Sequence, residues 1–159
     1  MSILLLGKST CRICGLTINE GDQYYCFPAF VINISDELFL FSDNNFHLDC
    51  LNRHKSTESA KKYADLFIEK IKPQNRICLI TGKKIINQED HIYIGYLTSN
   101  DKDYLHQFNF THVCKSSLYS WESRKQLVEE LIKLKNSGKW KESNGQNYLE
   151  NLIKVMDNG

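Results

Sequence analysis

A weak internal repeat constrains this chain more than any other feature. The segment Cys11-Arg12-Ile13-Cys14-Gly15-Leu16-Thr17-Ile18 returns as Cys78-Leu79-Ile80-Thr81-Gly82-Lys83-Lys84-Ile85. One inserted residue later, Asn19, Asp22 and Tyr25 align with Asn87, Asp90 and Tyr93. The middle of the first copy is then longer by four residues, after which Asn45-Phe46 aligns with Asn109-Phe110 and Cys50 with Cys114. Glu58-Ser59, Lys61 and Phe67-Ile68 continue the match onto Glu122-Ser123, Lys125 and Leu131-Ile132. The expectation is two related units, residues 1–72 and 73–159. Pro73-Gln74-Asn75 forms the hinge, because Pro ends a helix and these residues favour loops.

Each unit reads the same way: a tight turn, β-rich segments, then helix. Tyr, Phe, Val and Ile are abundant in residues 23–34, 37–41, 91–98 and 104–110, as strands prefer. Over 57–72, Ala60, Tyr63, Ala64, Phe67 and Ile71 fall at steps of three and four, an amphipathic helix. A second helix is expected over 117–136, ended by Gly138. Asn144-Gly145 marks a turn. A last helix over 146–156, with Leu149, Leu152, Ile153 and Met156 on one face, has no counterpart in the first unit. The opening Met1-Ser2-Ile3-Leu4-Leu5-Leu6 lacks a basic leader and a small-residue cleavage site. It reads as a first strand rather than a signal peptide. The fold class expected is α+β.

Length and composition exclude several classes. The 159 residues suffice for one compact domain or two very small ones. With 42% apolar residues and a net charge of +1, wholesale disorder and a strongly basic nucleic-acid binder are both disfavoured. No apolar run approaches the roughly 20 residues that span a bilayer, so no membrane role is expected. There are six cysteines. Four potential ligands fall in two tight pairs, Cys11/Cys14 and His47/Cys50, and no export signal is visible. Zinc in a reduced, cytoplasmic setting is therefore preferred to disulfides.

Two thiolates two residues apart can face one ion, and Gly15 permits the tight turn behind them. Asp43-Asn44-Asn45 supplies N-cap chemistry, which would put His47-x2-Cys50 on the first turn of a helix, where i and i+3 share a face. Cys11, Cys14, His47 and Cys50 would then close a tetrahedron around one structural Zn2+. This Cys-x2-Cys…His-x2-Cys set resembles a treble-clef zinc finger, and more narrowly the first zinc site of a LIM domain. The spacer, residues 15–46, is longer than is usual in LIM domains, and no second ligand quartet follows, so treble clef is the broader resemblance. It implies two tandem modules, each a knuckle, a β-hairpin and helices. The first, 1–72, binds zinc. The second, 73–159, is a degenerate metal-free copy with a C-terminal helical extension. In the second copy Thr81 stands for Cys14 and Thr111 for His47, leaving only Cys78 and Cys114. His54 reads as a polar residue near a helix end rather than a ligand, and Cys26 as a core thiol. The aromatics of 27–31 and 39–41 read as core, or as a partner-binding patch if exposed; the other place expected for an apolar binding patch is along the C-terminal helices.

A complete ligand set leaves no open coordination position, which marks a structural site. The resemblance then implies protein binding without catalysis. The roles to consider are a bacterial toxin-neutralising (immunity) or inhibitor protein acting on a toxin or effector, or an adaptor. The alternative is an HNH-like metal-dependent nuclease. Treble-clef nucleases carry an Asp-His-Ile-like stretch whose His is a general base, and Asp90-His91-Ile92 is similar to it. His91, with Asn109 and His112, would be its catalytic set. Nucleic-acid binding without catalysis is a further alternative, but Lys125, Lys133, Lys135, Lys139 and Lys141 are interleaved with Glu122, Glu129, Glu130 and Glu142. That pattern suits a solvated face.

Overall fold

The computed structural model describes residues 3–143 and 145–158. It is a mixed α+β structure built on two small antiparallel hairpins. Strand β1 (Tyr24–Cys26) pairs with β2 (Asn45–His47), followed by helices α1 (Leu48–Asn52) and α2 (Thr57–Ile71). Strand β3 (His91–Ile94) pairs with β4 (Thr111–Cys114), followed by a 3-10 segment (Lys115–Ser120) and helices α3 (Arg124–Asn136) and α4 (Tyr148–Asp157).

A single shift of 67 residues, the one that carries Cys11 to Cys78, maps the hydrogen bonds of the first half onto the second. Cys11 N donates to Leu16 O as Cys78 N does to Lys83 O, and Gly15 N to Cys11 O as Gly82 N to Cys78 O. Arg12 N donates to Asn45 O as Leu79 N does to His112 O, and Leu48 N to Gln23 O as Lys115 N to Asp90 O. The bridges Thr10–Thr17 and Ile77–Lys84 obey the same shift. So do the left-handed residues Asp43 (φ 55°) and Phe110 (φ 56°). Even a side-chain staple is shared. Ser42 Oγ accepts from Phe30 N and Val31 N and donates to Val31 O. Asn109 repeats this with Leu97 N, Thr98 N and Thr98 O.

This register corrects the gapped alignment. No extra residues lengthen the first hairpin. The counterpart of His47 is Cys114 rather than Thr111, and the counterpart of Cys50 is Ser117 rather than Cys114. Thr81 does stand at the place of Cys14.

Residues 37–41 and 104–110, expected as strands, are 3-10 turns over Glu37–Leu40 and Tyr104–Phe108. Each starts on an aspartate whose Oδ1 accepts the amide two residues on, Asp36 from Leu38 and Asp103 from Leu105. This local bond competes with a strand ladder. The expected single helix over 117–136 breaks at Trp121, whose extended backbone (ψ 101°) lets the indole pack on Phe108 at 5.9 Å. The chain breaks at the matching place after α1, where His54 packs edge-on to Phe41 at 5.2 Å. Residues 3–6 form no strand; Thr10, further on, makes an isolated bridge. Met1 and Ser2 of that expected strand, and Asn144 of the expected turn, lie outside the described residues; Gly145 is a turn residue with φ 86°.

Apolar burial concentrates in two clusters. The first is aromatic: Phe27 lies within 4.7–6.1 Å of Tyr25, Phe30, Phe41 and Phe46, ring centre to ring centre. Each such pair adds about 0.5–1.5 kcal/mol beyond area burial. The hairpin aromatics are therefore core and not an exposed patch. The second cluster joins Ile92, Ile94, Phe108, Leu127 and Leu131 to Leu149, Leu152 and Met156 of α4.

Helix α2 joins the two halves of the chain, because Tyr96 and Phe110 of the second half belong to the first cluster. Tyr63 and Phe67 pack edge-on to Tyr96 and Phe110, at 5.2 and 5.6 Å. Helix α4 is held by Glu142, whose carboxylate accepts from Tyr148 N, Leu149 N and Trp140 Nε1. Its Tyr148 hydroxyl accepts the Gly95 amide at 2.6 Å. A Cβ at Gly95 would stand 3.2 Å from that hydroxyl, so glycine permits the approach. The matching residue in the first half is Pro28, which has no N–H to offer such a helix.

Candidate metal centre

The turn 11–15 and the β2–α1 junction bring four donors together. Gly15 takes φ 73°, which closes the turn and points Cys11 and Cys14 to the same side. His47 ends β2 and sits at the N-cap of α1, with Cys50 one turn on. The cap makes no side-chain bond to the helix, contrary to the role expected of Asp43-Asn44-Asn45, which stay in the hairpin. The imidazole is left free to face the thiols. One ligand atom from each of Cys11, Cys14, His47 and Cys50 lies within 4.8 Å of the other three. A tetrahedral ion with Zn–S near 2.3 Å places its sulfurs about 3.8 Å apart, so the quartet fits a small divalent cation.

The electrostatics suit a cation. His47 Nδ1 lies 3.4 Å from Cys14 Sγ, and its Nε2 is 3.5 Å from Asp22 Oδ2. Asp22 is itself held by the Asn19 amide. A carboxylate behind a ligating histidine fixes the ring and raises its basicity. Burial alone would raise the Cys11 thiol. The amides of Cys14, His47 and Ile13 reverse this and bring it down to about 6. Cys50 is pushed up to about 11, first by burial, then by the Cys14 and Cys11 sulfurs. Crowded thiols thus resist joint ionisation, and a bound divalent cation supplies the charge that stabilises all of them as thiolates. Cys11 is buried, His47 and Cys50 are half-buried, and Cys14 is exposed. Among the described residues this is the group of three or more His, Cys, Asp or Glu side chains close enough to hold a metal ion.

His54 stands apart, with Nδ1 accepting the Ser56 amide at 3.3 Å. Cys26 is half-buried rather than sealed in the core.

Of the alternative set His91, Asn109 and His112, two come together. His112 Nε2 lies 2.8 Å from the Lys70 carbonyl, which can only accept, so Nε2 carries the proton. Its Nδ1 then accepts from His91 Nε2, also at 2.8 Å. Both histidines sit below the usual imidazole value, mainly through burial. Asn109 is not part of this pair: both atoms of its amide are taken by the backbone of 97–98. Sequence reasoning missed Asp22 as the support of His47. The Asp22/His47 pair is formed across the β1–β2 hairpin, and no spacing rule exposes it.

No family model, curated protein or solved structure matches this chain.

Proposed function

We propose that this protein is a zinc-stabilised, non-enzymatic protein-binding module of two tandem treble-clef-like units. The first, 1–72, carries one structural Zn2+. The second, 73–159, is metal-free and extended by C-terminal helices. The observation that carries this reading is the completeness of the quartet: four protein donors leave no coordination position for a substrate or an activated water. The shared 67-residue register supports the tandem arrangement, and Thr81 and Ser117 at the places of Cys14 and Cys50 support the loss of metal from the second unit. A cytoplasmic inhibitor, immunity protein or adaptor fits this reading, its partner a protein such as a toxin or effector. The binding surface we favour is the exposed run Ile3, Leu5 and Leu6, of which Ile3 is 80% exposed, beside the zinc knuckle.

The test is a paired assay on metal-loaded protein. Incubation with DNA or RNA and magnesium or manganese is expected to give no cleavage above a His91→Ala control. Partner capture from the native host is expected to be lost in Leu5→Asp/Leu6→Asp while metal content stays the same. Metal-dependent cleavage that vanishes in His91→Ala would overturn the reading in favour of a nuclease.

A further inference from the structure

We propose that Cys78 and Cys114 form an oxidisable dithiol that a hydroperoxide converts into a disulfide, a modification site in the half that lacks the metal quartet. This rests on the second half's own residues and on the backbone register it shares with the first half, and does not depend on the proposed function.

Cys78 sits at the foot of its turn with its Sγ aimed at β4, where it accepts the Cys114 amide at 3.3 Å. Cys78 and Asp90 are also the neighbours that act on the Cys114 thiol. The matching pair in the first half is Cys11 and His47, two donors of the metal quartet, so this backbone already brings the two positions within bonding reach of a common centre. The other two donors are replaced by Thr81 and Ser117, hydroxyls that bind zinc poorly. What remains is two cysteines, one with its amide on the other's sulfur, in place of four donors.

The two sulfurs are not equivalent. Burial alone would raise Cys78. The Thr81 hydroxyl and the amides of Thr81, Cys114 and Ile80 bring it down to about 7. Much of it is therefore thiolate at neutral pH, the form that reacts. Burial, then the adjacent Cys78 sulfur and Asp90, push Cys114 up to about 12, so it keeps its proton. Cys78 is 1% exposed, but it lines a surface groove with Leu79, Gly82, Thr111 and His112. Such a groove admits a small peroxide more readily than a bulky disulfide.

In the first step the Cys78 thiolate attacks a peroxide oxygen. An S–O bond forms, the O–O bond breaks, and the departing alkoxide or hydroxide takes a proton from water. Cys78 is oxidised by two electrons to the sulfenic acid and the peroxide is reduced. The Cys114 sulfur then attacks the Cys78 sulfur. The S–S bond forms, the S–O bond breaks, and the hydroxide leaves as water with the Cys114 proton. The sum is two thiols and one hydroperoxide giving one disulfide, one alcohol (or water) and one water.

The experiment treats metal-loaded wild-type protein with hydrogen peroxide, blocks remaining thiols by alkylation, and maps peptides by mass without reduction. The expected result is a loss of about 2 Da per chain, a cross-linked peptide joining Cys78 to Cys114, retained metal, and reversal by dithiothreitol. A Cys114→Ser variant is expected to carry Cys78 on to the sulfinic acid, because nothing resolves the sulfenic acid. The proposal is overturned if Cys78 and Cys114 stay alkylatable while other cysteines oxidise, or if each is oxidised separately with no cross-link between them. The wild-type map decides the matter even if a variant fails to fold.

Discussion

Cys11 and Cys78 occupy one backbone environment with different neighbours three and 39 positions further along: Cys14 and Cys50 in one half, Thr81 and Ser117 in the other. Chemistry at this scale is decided by donor count. A structural zinc supplies folding free energy directly, and three donors do not close the site. Cys14→Ser is therefore expected to lose the metal and unfold the first half. Cys78→Ser is expected to cost only about 1–2 kcal/mol, the usual scale of a buried packing change, since a serine oxygen can still accept the Cys114 amide. Thermal melts with metal analysis compare the two, and equal destabilisation would contradict the contrast. The converse substitution is sharper. Thr81→Cys with Ser117→Cys places four cysteines, with Cys78 and Cys114, on the backbone positions of the quartet. The double variant is expected to bind about two zinc ions per chain where the wild type binds about one. A variant that still binds one would show that the two turns differ in more than their side chains.

The elements are joined by a few polar bonds, and the histidine pair is the most informative of them. His112 is 3% exposed and ties β4 to the last turn of α2 through the Lys70 carbonyl. At the matching place in the first half, Asn45 makes the same kind of bond, from Nδ2 to the Ile3 carbonyl. His91 and His112 both have folded-state values depressed below the ordinary 6.5, by burial first and then by neighbouring positive charge, including Arg76. The unfolded chain thus binds more protons in this range, and the stability the pair contributes is present above about pH 6.5 and lost as the pH falls below it. His112→Asn copies the first half's solution and removes one titrating group. It is expected to flatten the fall in melting temperature between about pH 7 and 5 relative to wild type, the metal site being common to both proteins. Parallel curves would count against the pair as the source. The elements themselves were unevenly legible in the sequence. Helix α2 and the ligand quartet follow from spacing, since steps of three and four define a helix face and two pairs define a metal site. The 3-10 turns were hidden because Glu37-Leu38-Phe39-Leu40 has strand composition, and the signal that decides it is one aspartate just before. The repeat register was hidden by adjacency. Contiguous matches such as Asn45-Phe46 with Asn109-Phe110 invite a gapped alignment. The true diagonal carries isolated identities at structural positions: Asn33/Asn100, Asp36/Asp103, Leu38/Leu105, Phe41/Phe108 and Leu51/Leu118. These are the caps and buried contacts that the two halves share.

At the scale of the whole molecule, the two halves are stabilised differently and are bound to each other. The first half combines an aromatic cluster with the candidate metal centre. The second has no quartet among the described residues, and gains α4, which adds Leu149, Leu152 and Met156 to its core. The boundary between them is substantial. Besides the ring contacts of Tyr63 and Phe67, Tyr63 donates to the Ser99 carbonyl and accepts from His106 Nε2 at 2.8 Å, and Asn33 bonds to the backbone of Lys139 and Lys141. Removing the metal should therefore loosen the first half and expose one flank of the second without dissolving its own core. The chain contains a convenient internal reporter, because Trp121 and Trp140, its two tryptophans, both lie in the second half and pack into its cluster. Zinc-loaded protein treated with a strong chelator is expected to lose helical far-UV signal as α1 and α2 fray, while tryptophan emission stays close to its native wavelength. In denaturant, the chelated protein should then show a tryptophan transition at higher concentration than the far-UV transition, whereas the two should coincide in the metal-loaded protein. Coincident transitions after chelation would mean that the interface welds the halves into one cooperative unit. Unchanged far-UV signal after the metal is gone would mean that the aromatic cluster, and not the ion, holds the first half together.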